Sequence, residues 1–490
     1  MPRFEIKHRK TGAIIFEGKA DSLKALVQSA VISGIDSSLS QLVIAKLGLK
    51  KATKVRLYGA NLHGADLSEI DLTGADFSGA DLSECNLAGS CLKKAILARC
   101  DLSKADLSRT ILSEADFTEA DISKAILRKA QVDTANFTDA LFSGADLSGT
   151  RLTRANLSRA NFSGAKLTSS DLSKAQLSGN NFCNADLSWA ILSKARIERA
   201  DLSSSNSERV DLSEARLTGS NMKGANLSEA NLQGADLSGV ILDHAVLTDA
   251  NLNGSKLTNV KMSEAKLHGA KLARSDCSGS DMTRVDLTDA DLVGANFSGV
   301  LLNEANLSRA NMVGINLTNS QLVRAVMNKA TLSNANLAGA NMEEADLRAA
   351  LIAGADLSGA IMTRADLREA NLQKSKLMEA DLSGANLGGA VAGEADMTGA
   401  TALGANFSAA NFQNSCLDGA NLSGSNLAGA NFSGVKMTRT SVAQADLSGT
   451  DFSWAFINEA DFSGVKIAGT SMKGAKLTDV KGIKFKKRPA

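Results

Sequence analysis

Large apolar residues recur at every fifth position from Leu57 to Leu477, 85 positions in steps of five without a slip of register. The central residue is Leu, Phe, Met, Ile or Val at all of them except Ser207, Cys277, Ala392 and Ala402. Two residues before each centre sits a small one, usually Ala, as at Ala60, Ala65, Ala75 and Ala80. Asp or Asn commonly lies between the two, and Ser or Thr often follows, as in Gly64-Ala65-Asp66-Leu67-Ser68. A period of five fits neither the 3.6-residue helix nor the two-residue strand. Fixed self-similarity over this length predicts a solenoid. Gly is concentrated at the last position of the unit, where the chain has to turn a corner. The only prolines are Pro2 and Pro489, outside the repeats, as expected if each wall donates its N–H groups to the next coil. Asp and Asn before the centre have the chemistry to satisfy nearby backbone donors at the corners.

These units resemble the pentapeptide-repeat family, whose consensus is A-(D/N)-L-x-x. The resemblance implies an all-β solenoid, a right-handed quadrilateral β-helix with four units per coil and each unit forming one wall, its central residue and the small residue two before it facing inward, which fits one large and one small side chain per wall at interior density. On that basis 57–477 is expected to make one uninterrupted tube of about 21 coils, about 100 Å long at the spacing of hydrogen-bonded strands. Residues 20 apart then stack. Phe142, Phe162 and Phe182 are so spaced, as are Phe412, Phe432 and Phe452, and Phe117 and Phe137. These predict ring ladders in the core, and Met222, Met262, Met282, Met342 and Met362 a further column of core filling. Coils containing Ser207, Ala392 or Ala402 are expected to be under-filled, to hold water or to bend, with a local bulge or a loosely packed coil at Ser207.

The first 54 residues follow other rules. Phe4, Ile6 and His8 alternate, Lys10-Thr11-Gly12 reads as a turn, and Ala13 to Glu17 returns, which predicts a β-hairpin. Asp21 or Ser22 caps a helix through about Ser33, with Leu23, Leu26, Val27 and Ala30 on one stripe. Residues 36–54 read either as a second short helix or as an imperfect first coil. The predicted organisation is therefore a small α+β cap (1–54), the β-helix (55–480) and a basic tail (481–490), the cap covering the open edge of the first coil.

Charge is distributed unevenly. Residues 1–54 have ten Lys/Arg against four Asp/Glu and the last ten have five basic residues, whereas 55–480 has 39 against 49, or −10. Some pentapeptide-repeat proteins mimic duplex DNA and protect type II topoisomerases. Here −10 spread over about 100 Å is far below the duplex density of one charge per ~1.7 Å, and Lys256, Lys261, Lys266 and Lys271 interrupt it on all four walls. The family's gyrase-protecting members are also shorter, with projecting loops and a dimerising C-terminal helix that this chain lacks.

Neither an apolar leader nor an 18-residue apolar stretch occurs, so a cytoplasmic location without a membrane span is expected. No two of the six cysteines are 20 apart and none forms a C-x-x-C pair, which argues against a disulfide framework or metal cluster. Cys85, Cys100 and Cys277 occupy inward positions and read as inert core thiols. Four scattered histidines and the absence of phosphate-binding or metalloprotease motifs point to no enzyme activity and no cofactor. Candidate partner contacts are Trp189 and Trp454, each in a Ser-Trp-Ala-(Ile/Phe) context, with Phe456 and the basic Lys484, Lys486, Lys487 and Arg488. Asp381 to Val435 carries no Lys or Arg, a flat face suited to lateral packing. The reading is a non-enzymatic rigid rod, a protein-interaction scaffold or spacer that self-associates through its C-terminal region, where Met472, Leu477 and the last coil's open edge are expected to be left unburied, with no direct nucleic-acid binding. The alternatives are a topoisomerase-directed DNA mimic, and a bacterial effector or phage structural component.

Overall fold

The computed structural model describes residues 3–7, 14–19 and 56–483. The helix expected from Asp21 or Ser22, the segment 36–54 and the basic Lys484–Arg488 cluster lie outside the described residues. The chain divides into two compact units, Met1–Val246 and Leu247–Ala490.

In the first unit, β1 (Arg3–Lys7) and β2 (Ile14–Lys19) pair antiparallel from Arg3↔Lys19 to Lys7↔Ile14. The expected hairpin is present, its second strand running two residues further than the alternation suggested, with an irregularity between Ile6 and Lys7.

Within each unit the residue before a centre pairs in parallel with the residue 20 positions later. In the first unit these pairs run without a gap from Arg56↔Asp76 to Asn226↔Val246. In the second they run from Asn251↔Lys271 to Asp461↔Lys481, the pairs at Lys436 and Phe456 being part of a short sheet. A 20-residue repeat of five-residue units gives four walls to a coil. Most walls are a single bridge between two turns. Among the described residues of the repeat only β3 (Lys436–Thr438), β4 (Phe456–Asn458) and β5 (Lys476–Thr478) lengthen into strands, in the order β3-β4-β5.

The five-residue consensus follows from the accounting of backbone donors. In the unit Ala105 to Arg109, the Ala105 N–H closes a turn on the Leu102 carbonyl (3.0 Å). Asp106 donates one coil back to Cys85 O (2.8 Å), while Leu107 and Arg109 donate one coil ahead to Ile126 O (2.7 Å) and Arg128 O (3.0 Å). That leaves the Ser108 N–H, which donates to Asp106 Oδ1 (2.9 Å). The fifth donor is the reason for Asp or Asn at that position. Where two such residues stack, an Asn amide donates to the oxygen one coil back, as Asn226 does to Asn206 Oδ1 (3.1 Å).

From Leu57 to Phe462 the centres and the small residues two before them are buried, with Leu107, Phe162 and Ala105 at 0 % exposure. Each buried centre contributes about 1.5–3 kcal/mol of transfer free energy. The ring ladders form: Phe142–Phe162 and Phe162–Phe182 stack at 4.5 and 4.9 Å, and Phe412–Phe432 at 5.3 Å. Edge contacts between neighbouring walls, such as Phe407–Phe412 at 5.4 Å, add what the 20-residue spacing did not reveal.

Ser, Thr and Cys replace Ala at inward positions by hydrogen-bonding to turn carbonyls. Ser220 donates to Ile197 O (2.5 Å) and accepts from the Ala200 N–H (3.1 Å). Cys85 and Cys100 donate to Leu62 O (2.8 Å) and Phe77 O (2.7 Å). Burial pushes the Cys85 and Cys277 thiols up to about 12, which keeps them protonated and unreactive.

The expectation of a bulge at Ser207 is corrected. Bridges continue through Asn206, and the Ser207 hydroxyl turns inward to Ser205 Oγ (3.1 Å) instead of the chain looping out. Likewise the pairing passes unbroken through the coils of Ala392 and Ala402, both fully buried. The backbone bonds hold the path of a coil whether or not its centre is large. Among the described residues no helix is long and apolar enough to cross a membrane.

Candidate functional site

The corner, the last residue of each unit, governs what the surface displays. It has a positive φ whether it is Gly, as at Gly64 (+66°), or not, as at Arg109 (+57°) and Trp189 (+59°). A Cβ there costs about 1–2 kcal/mol, and the coil-to-coil bond from the same N–H, such as Arg109 to Arg128, helps offset it. Corners therefore carry long side chains that project outward, and residues 20 apart along a corner touch.

These side chains pair by charge. In the second unit Glu264, Arg284, Glu304, Arg324, Glu344 and Arg364 occupy one corner column with alternating sign. Arg284 meets Glu264 and Glu304 at 3.7 and 2.8 Å, Arg324 meets Glu304 and Glu344 at 3.9 and 2.9 Å, and Arg364 meets Glu344 at 3.0 Å. Hydrogen bonds from Arg284 hold the Glu304 carboxyl below the usual range, and those from Arg324 and Arg364 do the same for Glu344. Arg159–Asp139 (2.6 Å) and Arg209–Glu229 (2.7 Å) repeat the device in the first unit. A 20-residue alternation of sign would have revealed these columns in the sequence.

Both tryptophans project from corners, as expected. Trp189 is 54 % exposed, and the Arg209 guanidinium lies 4.7 Å above its ring. Ile191, two residues on, is exposed on the adjoining wall. Trp454, 63 % exposed, lies against Gly474, where a Cβ would come within 2.5 Å of its ring. A larger residue at 474 would dislodge the indole. Phe456, in β4, is half exposed between Lys436 and Lys476, with Lys476 Nζ 5.2 Å over its ring. Those three residues with Thr438, Asn458 and Thr478 line a shallow concavity of about 380 Å³. Beyond it the inward positions Ile467 and Leu477 are exposed at 45 % and 36 %. The structure thus gathers Trp454 and Phe456 with an apolar edge the periodicity had assigned to the core. Trp189 belongs to the other unit and a separate surface.

Among the described residues no group of His, Cys, Asp and Glu is arranged to hold a metal ion. A concavity of about 500 Å³ in the first unit is open and lined by Ser178, Gly179, Glu198, Arg199, Arg216 and Thr218.

The sequence profile described as Pentapeptide repeats (8 copies) matches in successive segments from 60–99 to 445–481. Among solved structures, HetL, a pentapeptide repeat protein involved in heterocyst differentiation regulation in the cyanobacterium Nostoc, is 30 % identical over 48 % of this chain and 87 % of its own, with a TM-score of 0.19. QnrB1, a plasmid-mediated fluoroquinolone resistance protein, is 19 % identical over 39 % of this chain and 83 % of its own (TM-score 0.23). Rfr23 from the cyanobacterium Cyanothece is 28 % identical over 25 % and 64 % (TM-score 0.12). No curated protein sequence matches the chain.

Proposed function

Because the chain belongs to the pentapeptide-repeat family, with its quadrilateral β-helix, we propose that it is a non-enzymatic protein-interaction scaffold or structural spacer that self-associates through its C-terminal coils. In this reading residues 1–54 cap the first coil. The observation that carries self-association is the cluster of exposed apolar side chains Trp454, Phe456, Ile467 and Leu477. Aromatic anchors beside a continuous apolar edge are what an interface buries, and an open coil edge is a template for further pairing. Lys436 and Lys476 flank Phe456 and oppose stacking on a second basic end, which favours a symmetric or lateral pair. A topoisomerase-directed DNA mimic would need a sustained run of negative charge; the column from Glu264 to Arg364 alternates instead.

Sedimentation tests the proposal. The intact protein is expected to be a dimer or larger at tens of micromolar, and the Trp454→Ala, Phe456→Ala variant a monomer. A monomeric intact protein at that concentration overturns it.

A further inference from the structure

One corner column breaks the charge rule. Arg154, Lys174 and Lys194 follow one another at 20-residue steps, the only three consecutive like charges in any corner column among the described residues. All three are exposed, about 4.8 Å apart in backbone rise. Lys194 reaches Glu214 at 3.5 Å, whereas Arg154 and Lys174 meet no carboxylate among the described residues. The next wall adds Arg196, Arg199 and Arg216, with only Glu198 bridging Arg196 (3.5 Å) and Arg216 (3.2 Å). Residues 150–216 hold ten Lys/Arg against seven Asp/Glu, while 57–149 holds eight against fifteen. Across the wall that ends at Lys194 lie the exposed Ile191 and then Trp189, pinned beneath Arg209, whose guanidinium is itself held by Glu229.

A row of three like charges with only one of them paired repels itself until something anionic covers it. The spacing selects what fits. An α-helix lying along the stacking direction presents one carboxylate per turn, about every 5.4 Å, within about 0.6 Å of the coil step. An extended strand laid the same way presents one every ~6.7 Å and loses register by about 2 Å per step. The apolar pair beside the row calls for an apolar stripe next to the acidic one, which a nucleic-acid backbone does not provide.

We propose that Arg154, Lys174 and Lys194, with Ile191 and Trp189, form the docking site for an acidic amphipathic helix of a partner protein. This rests on the scaffold reading but uses residues separate from the C-terminal cluster, so either can fail alone. In a Trp454→Phe background Trp189 is the sole indole and reports binding by its fluorescence. The probe is a synthetic helical peptide with Glu at every third or fourth position and Leu on the flanking stripe. It is expected to bind in a salt-sensitive manner, and a scrambled peptide of the same composition at least about tenfold more weakly. Lys174→Glu with Lys194→Glu is expected to weaken binding by at least the same factor. Glu already occupies this column's corner conformation at Glu214 (φ 54°), so the variant is compatible with the coil, and circular dichroism checks that it folds. Equal binding of the scrambled peptide, tighter binding of an oligothymidine strand, an unaffected charge-reversed variant, or no binding of the helical peptide each overturns the proposal. Sedimentation of the same variants reports separately on self-association.

Discussion

The corner column from Glu264 to Arg364 and the one from Arg154 to Lys194 share a backbone conformation, yet one is electrostatically complete and the other is not. In the first, each interior charge is flanked above and below by its opposite. In the second, Lys174 sits between Arg154 and Lys194. Exposed ion pairs are individually weak and screened by salt, so the alternating column is best understood as a surface that needs nothing else. The like-charged column is a surface that has given up this small gain. The coil tolerates either, because its stability comes from the core and the backbone ladder. That independence lets a corner be spent on recognition.

The largest effect to be measured lies inside and sets the scale for the corners. Phe162→Ala, which removes the middle ring between Phe142 and Phe182, is expected to cost about 3–5 kcal/mol in denaturant unfolding. A loss as small as a corner substitution's would mean the core does not dominate.

Next comes the side-chain acceptor for the fifth backbone donor. Asp106→Ala strips the Ser108 N–H of its partner and is expected to cost about 1 kcal/mol. One coil on, Ile126 provides no such acceptor and is exposed. Ile126→Asn is expected to gain about 0.5–1 kcal/mol, by accepting from the Arg128 N–H and donating to Asp106. Opposite signs for the two substitutions are required.

The two columns themselves are compared by charge reversal. Glu304→Arg removes two ion pairs and creates a five-residue run of arginine and glutamate with three like charges at its middle, so the melting temperature is expected to fall by about 1–3 °C at low salt. Lys174→Glu restores alternation and is expected to raise it by a similar amount. Both shifts should shrink in about 1 M NaCl. Shifts of the same sign would break the comparison.

The smallest effect is in acid. Glu304 and Glu344 have folded-state pKa values depressed by hydrogen bonds from Arg284 and from Arg324. Their contribution is therefore complete above the unfolded glutamate value, about 4.3, and is lost as pH falls through the lower folded value. Glu304→Gln should flatten the stability profile below about pH 4.3 and leave its shape above pH 6 unchanged, as read from melting curves across that range.

Much of the molecule was legible because a period-five pattern permits one answer. The burial of Leu107 and Phe162, the stacked rings and the outward Trp189, Trp454 and Phe456 all follow from position in the unit. The bulge expected at Ser207 did not follow, because inward hydrogen bonding to Ser205 was invisible in a pattern that scores size alone. The exposure of Leu477 was expected, but its extension back to Ile467 was not, since periodicity marks a residue as inward-facing without saying that another coil covers it.

By itself the sequence determined which side chains point in, that a corner comes every five residues, and where a donor needs an Asp or Asn. These are local consequences of a repeating backbone, so local information suffices. The stacking of residues 20 apart was expected, but only the tertiary structure showed which stacked corners form ion pairs. Arg284 meets Glu304, and Arg154 stands below Lys174, because 20 residues make one turn of the coil, and side chains that far apart in sequence acquire their electrostatics only when the coil closes beneath them.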